Sequence, residues 1–469
     1  MKINSNVLNA AIILFIEGLV SLSYQMLYIR QIGPIVGNSV DVISWIIGIF
    51  LIALAIGYKK GGDFQGDFNS KILSNILKAA LFASIGLSYV FLNIYFSYVG
   101  KITGYYLAMI GYCLIIVAPA TYYLGQTLPL MTNRNIGNNV SQISGNILFL
   151  STIGSFLGAI ITTNIFLKYF GVSITIALAT ILLLSLYFIV PNGIKSKIGF
   201  ASAMILIFVN ALNIIYEKTN YVGTNQYANY QVDKYQKVEN GNNILKVFRS
   251  NNSYSSMLVM NDLKDSDFRT MGYIKEISDF LLIKRKFEGK EILVIGAGGF
   301  VLSYGVLNNK FTFVDIDPQI EEIAEESFLN KKINGTFIPK DGRAYVNENT
   351  IKYDAVVSDA YSSSKSIPES LTTIEYFSKL KETVKENGWV IFNIIQSPDF
   401  ADEYSRNIKS TIDSVFPYCF TKVTDASNEI TNVIYFCNAR KEERKIYTDD
   451  LNNSNSDYYK NSIKSEVLK

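Results

Sequence analysis

Histidine is absent from the 469-residue chain, and cysteine occurs only 3 times. The first absence excludes Ser-His-Asp hydrolysis and leaves carboxylates, Lys, Tyr or Cys as the available general bases. The second leaves little to build with. Cys113, Cys419 and Cys437 make neither a disulfide framework nor a zinc pattern, so no metal is expected and a reducing compartment is. An excess of one charge is also missing. With Lys+Arg 43 against Asp+Glu 40, a formal +3 gives no electrostatic basis for holding nucleic acid.

What is abundant is apolar sequence, and it is unevenly spread. Charges are sparse up to about Tyr216, and beyond it Lys, Asp, Glu and Asn become common. Such a shift separates a lipid-solvated part from a water-solvated one, and a chain this long needs at least two domains. A helix takes roughly 20 apolar residues to cross the hydrocarbon core. Runs of that kind at 7–29, 40–58, 79–98, 102–124, 143–167, 172–190 and 198–216 predict a multi-span α-helical membrane domain over 1–216, with about seven helices. The first run is too long for a signal peptide and lacks a small-residue cleavage site.

Seven spans put the termini on opposite sides. Lys59, Lys60, Lys71, Arg134, Lys195 and Lys197 then share the N-terminal side, against Arg30, Lys101, Lys168 and Lys218 on the other. The positive-inside rule reads this as a C-terminal half outside the cell. The charge difference is small, and one re-entrant or interfacial segment would reverse the parity. The expectation is a multi-pass protein of the cell (inner) membrane with a cytoplasmic catalytic domain. Glu17, inside the first run, is costly as a bare carboxylate. It either lines a polar cavity with Gln25, Arg30 or Gln126, or packs as a hydrogen-bonded group. Gly154, Ser155, Gly158 and Ala159 suit close helix packing.

Between 217 and 265, polar and apolar residues alternate around Asn-Gly and Asn-Asn turn signals, which predicts a small β-strand lid. From 266 to 440 the pattern becomes strands alternating with helices, the mark of a Rossmann-like α/β domain with a parallel sheet. A strand at 291–295 enters Gly296-Ala297-Gly298-Gly299, and a helix is predicted at 300–307. Strands at 311–316, 335–338 and 354–358 bring Asp315, Asp341 and Asp359 to their ends, and further strands follow at 389–395 and 433–437. Ligands in such sheets bind beyond the carboxyl ends of the strands, where these acids fall. The polar tail at 441–469 receives no role.

Gly296 and Gly298 let the backbone approach a ligand closely. Val301 stands where a dinucleotide fingerprint wants its third glycine, while Asp315 can accept from both ribose hydroxyls. Asp341 can accept from an adenine amino group, and Gly342 keeps that rim open. Asp359 leads into the loop Ala360-Tyr361-Ser362-Ser363-Ser364, where a partly desolvated carboxylate can hold a cationic amine or take its proton.

In order and spacing, these segments resemble the spermidine synthase (polyamine aminopropyltransferase) family. The residues that carry the likeness are Ile292 to Gly299, Val314-Asp315-Ile316-Asp317, Lys340-Asp341-Gly342, Tyr353 to Asp359, Ile367-Pro368-Glu369-Ser370-Leu371-Thr372 and Glu375-Tyr376-Phe377. Tyr24-Gln25 and Arg30 are similar to those of a bacterial subgroup in which such a domain is fused to a multi-span membrane region. The resemblance implies a class I methyltransferase-type fold and transfer of an aminopropyl group from decarboxylated S-adenosylmethionine to an amine such as putrescine. By position, Asp315 would bind ribose, Asp341 adenine, Pro368 would line the nucleoside pocket and Asp359 would deprotonate the amine. Tyr254, Ser255, Tyr361 and Ser362 would meet the amine; a lipid bilayer and a second copy in a homodimer complete the partners.

The chain departs from the family in three places. Gly299 stands where an acid is usual, Ser362 where a second acid is expected, and Tyr254-Ser255 where the lid has Tyr-Gln. The missing acid at Gly299 removes a charge that would repel the carboxylate of intact S-adenosylmethionine, which favours a methyltransferase as the alternative. A third reading has the helices transporting or sensing a polyamine-like solute.

Overall fold

The computed structural model describes residues 5–134, 140–191, 197–237, 243–251, 253–260, 272–361 and 367–440. Ser362 and the tail at 441–469 lie outside them. Ten α-helices open the described chain: α1 (Ser5–Val36), α2 (Val40–Gly62), α3 (Phe68–Gly86), α4 (Tyr89–Thr103), α5 (Tyr105–Tyr112), α6 (Ala118–Gly125), α7 (Thr127–Arg134), α8 (Val140–Ile161), α9 (Leu167–Ile189) and α10 (Lys197–Asn220). π-Helical turns join α5 to α6 and α8 to α9. Among the described residues, five stretches are long and apolar enough to cross a membrane: Asn9–Val36, Val40–Gly62, Tyr105–Asn133, Ser144–Ile189 and Gly199–Asn220. Ser144–Ile189 is 46 residues long and breaks at Gly171, where φ is 76°. That is about twice the roughly 20 residues of one crossing.

Hydrogen bonds show which end of each helix meets the C-terminal half. Arg30 near the end of α1, Tyr89 at the start of α4 and Val172 beside the Gly171 break bond Asn225, Asn229 and Thr224. At the far end, Tyr187 of α9 bonds Leu73 of α3, and Asn133 of α7 bonds Gly62 of α2. α3 therefore traverses the bundle alone. The expected third span, 79–98, is corrected: the chain bends by 64° between α3 and α4, where Ser88 caps α4 by accepting from Phe91 N. An apolar run cannot show such a bend, because both arms remain apolar. α5 starts near the domain end, where the Tyr112 hydroxyl donates to Gly86 O. Seven passes through the bundle result, with α4 lying across its domain end.

Gly18, Gly154 and Gly158 bring α1 and α8 into backbone contact; a Cβ at any of them would strike the carbonyl of the facing helix. Glu17 bonds Ser151 of α8, while Gln126 accepts from Asn75 and Arg30 reaches Asn225. Glu17 is thus hydrogen-bonded to the facing helix, while Arg30 and Gln126 take partners elsewhere.

The lid is an antiparallel sheet of β1 (Gly223–Thr224), β2 (Asn229–Lys237), β3 (Asn243–Ser250) and β4 (Ser253–Met260), in that order. The main sheet contains β5 (Glu291–Ile295), β6 (Lys310–Asp315), β7 (Thr336–Pro339), β8 (Tyr353–Ser358), β9 (Val384–Gln396), β10 (Cys419–Val423) and β11 (Thr431–Asn438), ordered β10-β11-β9-β8-β5-β6-β7. β5 to β9 pair in parallel, and β10 and β11 are antiparallel additions. This is the Rossmann-like, methyltransferase-type sheet. Successive residues of a strand face opposite sides, so Ile292 and Val294 join one core with Phe313 and Phe328 while Leu293 and Ile295 join another with Tyr376 and Phe392. Helices α11 (Gly272–Ser278), α12 (Ile320–Ile323), α13 (Gly342–Glu348), α14 (Ile374–Thr383) and α15 (Glu403–Val415) connect or cover the strands.

Two further expectations are corrected. The helix at 300–307 is one 3-10 turn, Val301–Ser303, because Phe300 and Gly305 both take positive φ, 58° and 73°. Cys419 and Cys437 face each other across β10 and β11, with Cα atoms 4.1 Å apart, in the geometry of a cross-strand disulfide. Strand register creates that pair, and cysteine spacing does not reveal register.

Candidate active site

One cavity of about 380 Å³ lies beyond the carboxyl ends of the parallel strands, roofed by the β1–β4 lid. That is room for a small-molecule ligand. Gly296, Gly298, Asp315, Asp341, Gly342, Pro368, Asp359, Tyr361, Tyr254 and Ser255 all line it. The three carboxylates at separate strand ends do share one hollow. Ser362 lies outside the described residues.

The glycine turn is dictated by the close approach of the chains leaving the parallel neighbours β5 and β8. Gly296 has φ 91°, and a Cβ there would collide with the carbonyl of Asp359. Gly296 N donates to Val314 O and Asp359 N to Ile295 O, so the glycine loop and the Asp359 loop are pinned side by side. Asp315 at the end of β6 accepts from Ala297 N at 2.9 Å and from Asp317 N at 3.0 Å. Burial pushes its carboxyl up to about 6; those amide bonds oppose the rise, and the neighbouring Asp317 adds to it. A carboxylate has about four lone-pair sites, so these backbone amides leave capacity for a ligand hydroxyl. Asp341 caps α13 through Ala344 N at 2.8 Å, which leaves its other oxygen free of that bond.

Asp359 occupies a drier position. Asn393 Nδ2 donates to its Oδ1 at 2.8 Å, and the Tyr273 hydroxyl bonds the same carboxylate. Burial dominates and pushes this carboxyl up to about 7, against the two hydrogen bonds that favour the anion. Tyr361 is bolted to β9: its hydroxyl donates to Asn393 O and accepts from Ile395 N, each at 2.8 Å. Asn432 Nδ2 supports Asn393 from the next strand at 2.9 Å. A carboxylate poised near neutrality, held by fixed donors at the end of a rigid sheet, is suited to take a proton from a bound amine.

Sequence reasoning missed Tyr273, which lines the cavity from α11 and can give its single hydroxyl proton to Ser255 O, at 2.9 Å, or to the Asp359 carboxylate. Its place on a helix outside the strand ends gave no sign of that role. Tyr254, chosen from the sequence, is 51% exposed at the rim, its ring under the Arg249 guanidinium. Asn393 and Asn432 were also missed; asparagine inside a buried strand was the available signal. The Gly299 departure has a packing cause. A Cβ there would sit 2.6 Å from Phe328 Cε1 and 2.8 Å from Ser256 Cβ, and Gly299 N donates to Ser256 Oγ.

Residues 271–448 match the family described as the spermine/spermidine synthase domain. Over 430 residues, 86% of this chain and 81% of the relative, the chain is 22% identical to a polyamine aminopropyltransferase of Oceanobacillus iheyensis. It is 32% identical over 139 residues to one of Sulfurisphaera tokodaii, covering 27% of this chain and 45% of that protein. For Saccharolobus islandicus the figures are 30% over 148 residues, 29% and 48%. The chain thus spans less than half the length of these two archaeal relatives. Among solved structures, the spermidine synthase of Thermotoga maritima aligns with TM-score 0.31 and 16% identity over 50% of this chain and 87% of that one. A probable spermidine synthase from Corynebacterium glutamicum aligns with TM-score 0.37 and 15% identity over 47% and 81%. The likeness to the spermine/spermidine synthase domain is thus carried by residues 271–448, the C-terminal part of the chain.

Proposed function

We propose that the chain is a membrane-anchored aminopropyltransferase that moves the aminopropyl group of decarboxylated S-adenosylmethionine to an amine such as putrescine. The charge of the cavity wall carries this reading. Asp315, Asp317, Asp341 and Asp359 line it, and no Lys or Arg does so among the described residues. Decarboxylated S-adenosylmethionine presents an ammonium and a sulfonium with no anion to neutralise. The intact form adds a carboxylate that would enter this acidic hollow without a cationic partner.

In this reading Asp315 accepts from the ribose hydroxyls and Asp341 from the adenine amino group. Gly296, Gly298, Gly342 and Pro368 shape the wall around the nucleoside. Asp359, with Tyr273 and Tyr361, receives the amine. The amine nitrogen attacks the propyl carbon, the carbon–sulfur bond breaks, and its electron pair leaves with sulfur as neutral methylthioadenosine. The proton shed by the amine passes to Asp359. A sulfonium departs without acid assistance, so one base and close positioning suffice.

The acceptor end holds Asp359 as its carboxylate, with neutral Tyr273, Tyr361 and Asn393 around it. The helical half supports anchoring in a lipid bilayer by its length and composition. We place the catalytic face in the cytoplasm, where an adenosyl co-substrate made inside the cell is at hand.

The methyltransferase alternative draws on Gly299, whose lack of a side chain lightens repulsion of a carboxylate. Calorimetric titration of the full chain in detergent with decarboxylated and intact S-adenosylmethionine separates the two. Decarboxylated ligand should bind at least about tenfold tighter, the scale of one charge-assisted hydrogen bond. Tighter binding of the intact form would overturn aminopropyl transfer.

A further inference from the structure

Arg30 lies on α1, inside the Asn9–Val36 stretch of the helical half, yet its guanidinium is spent on the C-terminal half. Nε donates to Asn225 O at 2.6 Å and Nη2 to Asn229 Oδ1 at 2.8 Å. These two acceptors bracket the turn that enters β2, and the residues between them, Gln226, Tyr227 and Ala228, form part of the cavity wall. Arg30 is 8% exposed, and the same turn has no other side-chain donor from the helices except Tyr89, whose hydroxyl reaches Asn229 Oδ1 at 3.2 Å, among the described bonds.

The turn transmits that grip to the nucleoside side of the cavity. Asn225 Oδ1 accepts from Tyr227 N at 2.8 Å and Ala228 N at 3.1 Å, which fixes the turn internally. Asn225 Nδ2 donates to Asp317 Oδ2 at 2.6 Å, and Asp317 N donates to Asp315 Oδ1 at 3.0 Å. An unbroken chain of bonds thus runs from the guanidinium of a membrane-half helix to the carboxylate that faces the ribose. Gln226, which lines the cavity from the clamped turn, also has a buried Oε1 with no partner in the described structure.

We propose that Arg30 is a positioning residue for the nucleoside site, clamping the Asn225–Asn229 turn so that Asp317 and Asp315 are held in binding geometry. The helical half is then a working part of the co-substrate pocket, in addition to any anchoring it provides. This rests on the nucleoside reading of the cavity. An arginine suits the task because its planar fork serves two acceptors at once, whereas the single ammonium of lysine cannot reproduce both bonds in the same geometry.

The test uses the full chain in detergent and calorimetric titration with methylthioadenosine, alongside the unfolding midpoint of the ligand-free protein. Arg30→Met should weaken the dissociation constant at least about tenfold while the fraction of binding-competent protein stays unchanged. Asn225→Ala keeps the main-chain carbonyl that Arg30 uses but severs the Asp317 arm, and should weaken binding similarly. The double variant should be no worse than the poorer single one, because both break one chain of contacts. Arg30→Lys should fall between Arg30→Met and the unaltered chain, and it serves as the test if Arg30→Met does not fold.

An unchanged dissociation constant in Arg30→Met or Arg30→Lys, or losses that simply add in the double variant, overturns the proposal. A loss of binding-competent fraction at unchanged affinity also overturns it, since that is what a purely structural role predicts. If the unaltered chain does not bind methylthioadenosine, the nucleoside reading itself is wrong, and the positioning role goes with it.

Discussion

Asn393 donates to Asp359 across 2.8 Å, from the middle of one parallel strand to the end of its neighbour. The bond fixes one carboxylate oxygen and leaves the other to face the cavity with the Tyr273 hydroxyl nearby. Because Asn393 is itself held by Asn432 of β11, the position of the proposed base is set by three adjacent strands. A base so fixed has a defined protonation and a defined reach, and both can be measured.

The first consequence concerns pH. Asp359 must be ionised to accept a proton, and its carboxyl is pushed up to about 7, so kcat/KM should rise through neutrality and level off above it. The linkage runs the other way for stability. A carboxyl that holds its proton more tightly when folded than its ordinary value of 3.8 makes the fold lose stability as pH rises from about 4 to about 7. Asp359→Asn should therefore abolish turnover while leaving methylthioadenosine affinity within about threefold, and should raise the unfolding midpoint at pH 8 more than at pH 5. A collapse of nucleoside affinity would show that Asp359 binds the co-substrate and is not the base.

Tyr273→Phe isolates the second partner of Asp359. The ring's packing is retained and one hydroxyl is lost, so stability should change by no more than about 1 kcal/mol, the net worth of one hydrogen bond. Without that donor the anion is less favoured, and the rising limb of the pH profile should move to higher pH. Activity at pH 7 should fall several-fold and recover partly at pH 8.5. A uniform loss at every pH would mean that the hydroxyl orients the amine and does not tune the base.

How much of this was legible beforehand can be argued residue by residue. Asp315, Asp341 and Asp359 were readable because a parallel sheet sends strand ends to one edge, so acids at those ends must converge. Gly296 was readable as a glycine that lets the backbone approach a ligand, but its packing against the Asp359 carbonyl was not. Tyr273 was not, because a tyrosine on a helix looks identical whether its hydroxyl meets solvent, core or ligand. The role proposed for Arg30 was out of reach as well. Hydropathy marks it as an interruption near the end of an apolar run, and only the folded chain brings Asn225 and Asn229 to it across almost two hundred residues.

The glycine loop yields a third prediction. Gly299→Asp would restore the acid usual in the family, but its Cβ would stand 2.6 Å from Phe328 and 2.8 Å from Ser256. The lid must shift to admit it, at a cost of about 1–3 kcal/mol as in other overpacked sites. Chemical denaturation should show that loss, and affinity for decarboxylated S-adenosylmethionine should fall with it. If the variant binds the co-substrate more tightly at unchanged stability, then the lid adapts readily and the glycine is a choice of substrate and not of packing.

Cys419 and Cys437 supply a reporter for sidedness, where two physical arguments collide. The seven-pass path puts Lys59, Lys60 and Lys71 at the end of the bundle far from the sheet domain, which by the positive-inside rule places that domain outside the cytoplasm. The co-substrate places it inside. The cross-strand geometry permits a disulfide in either location, but only an oxidising compartment maintains it, so a cytoplasmic domain should carry the pair as two thiols. A membrane-impermeant maleimide should then leave intact cells unlabelled. After lysis and denaturation without reductant, both residues should be alkylated. Labelling that appears only once reductant is added would show an oxidised pair, and the catalytic face would belong on the outer side, with a co-substrate supply that must cross the bilayer.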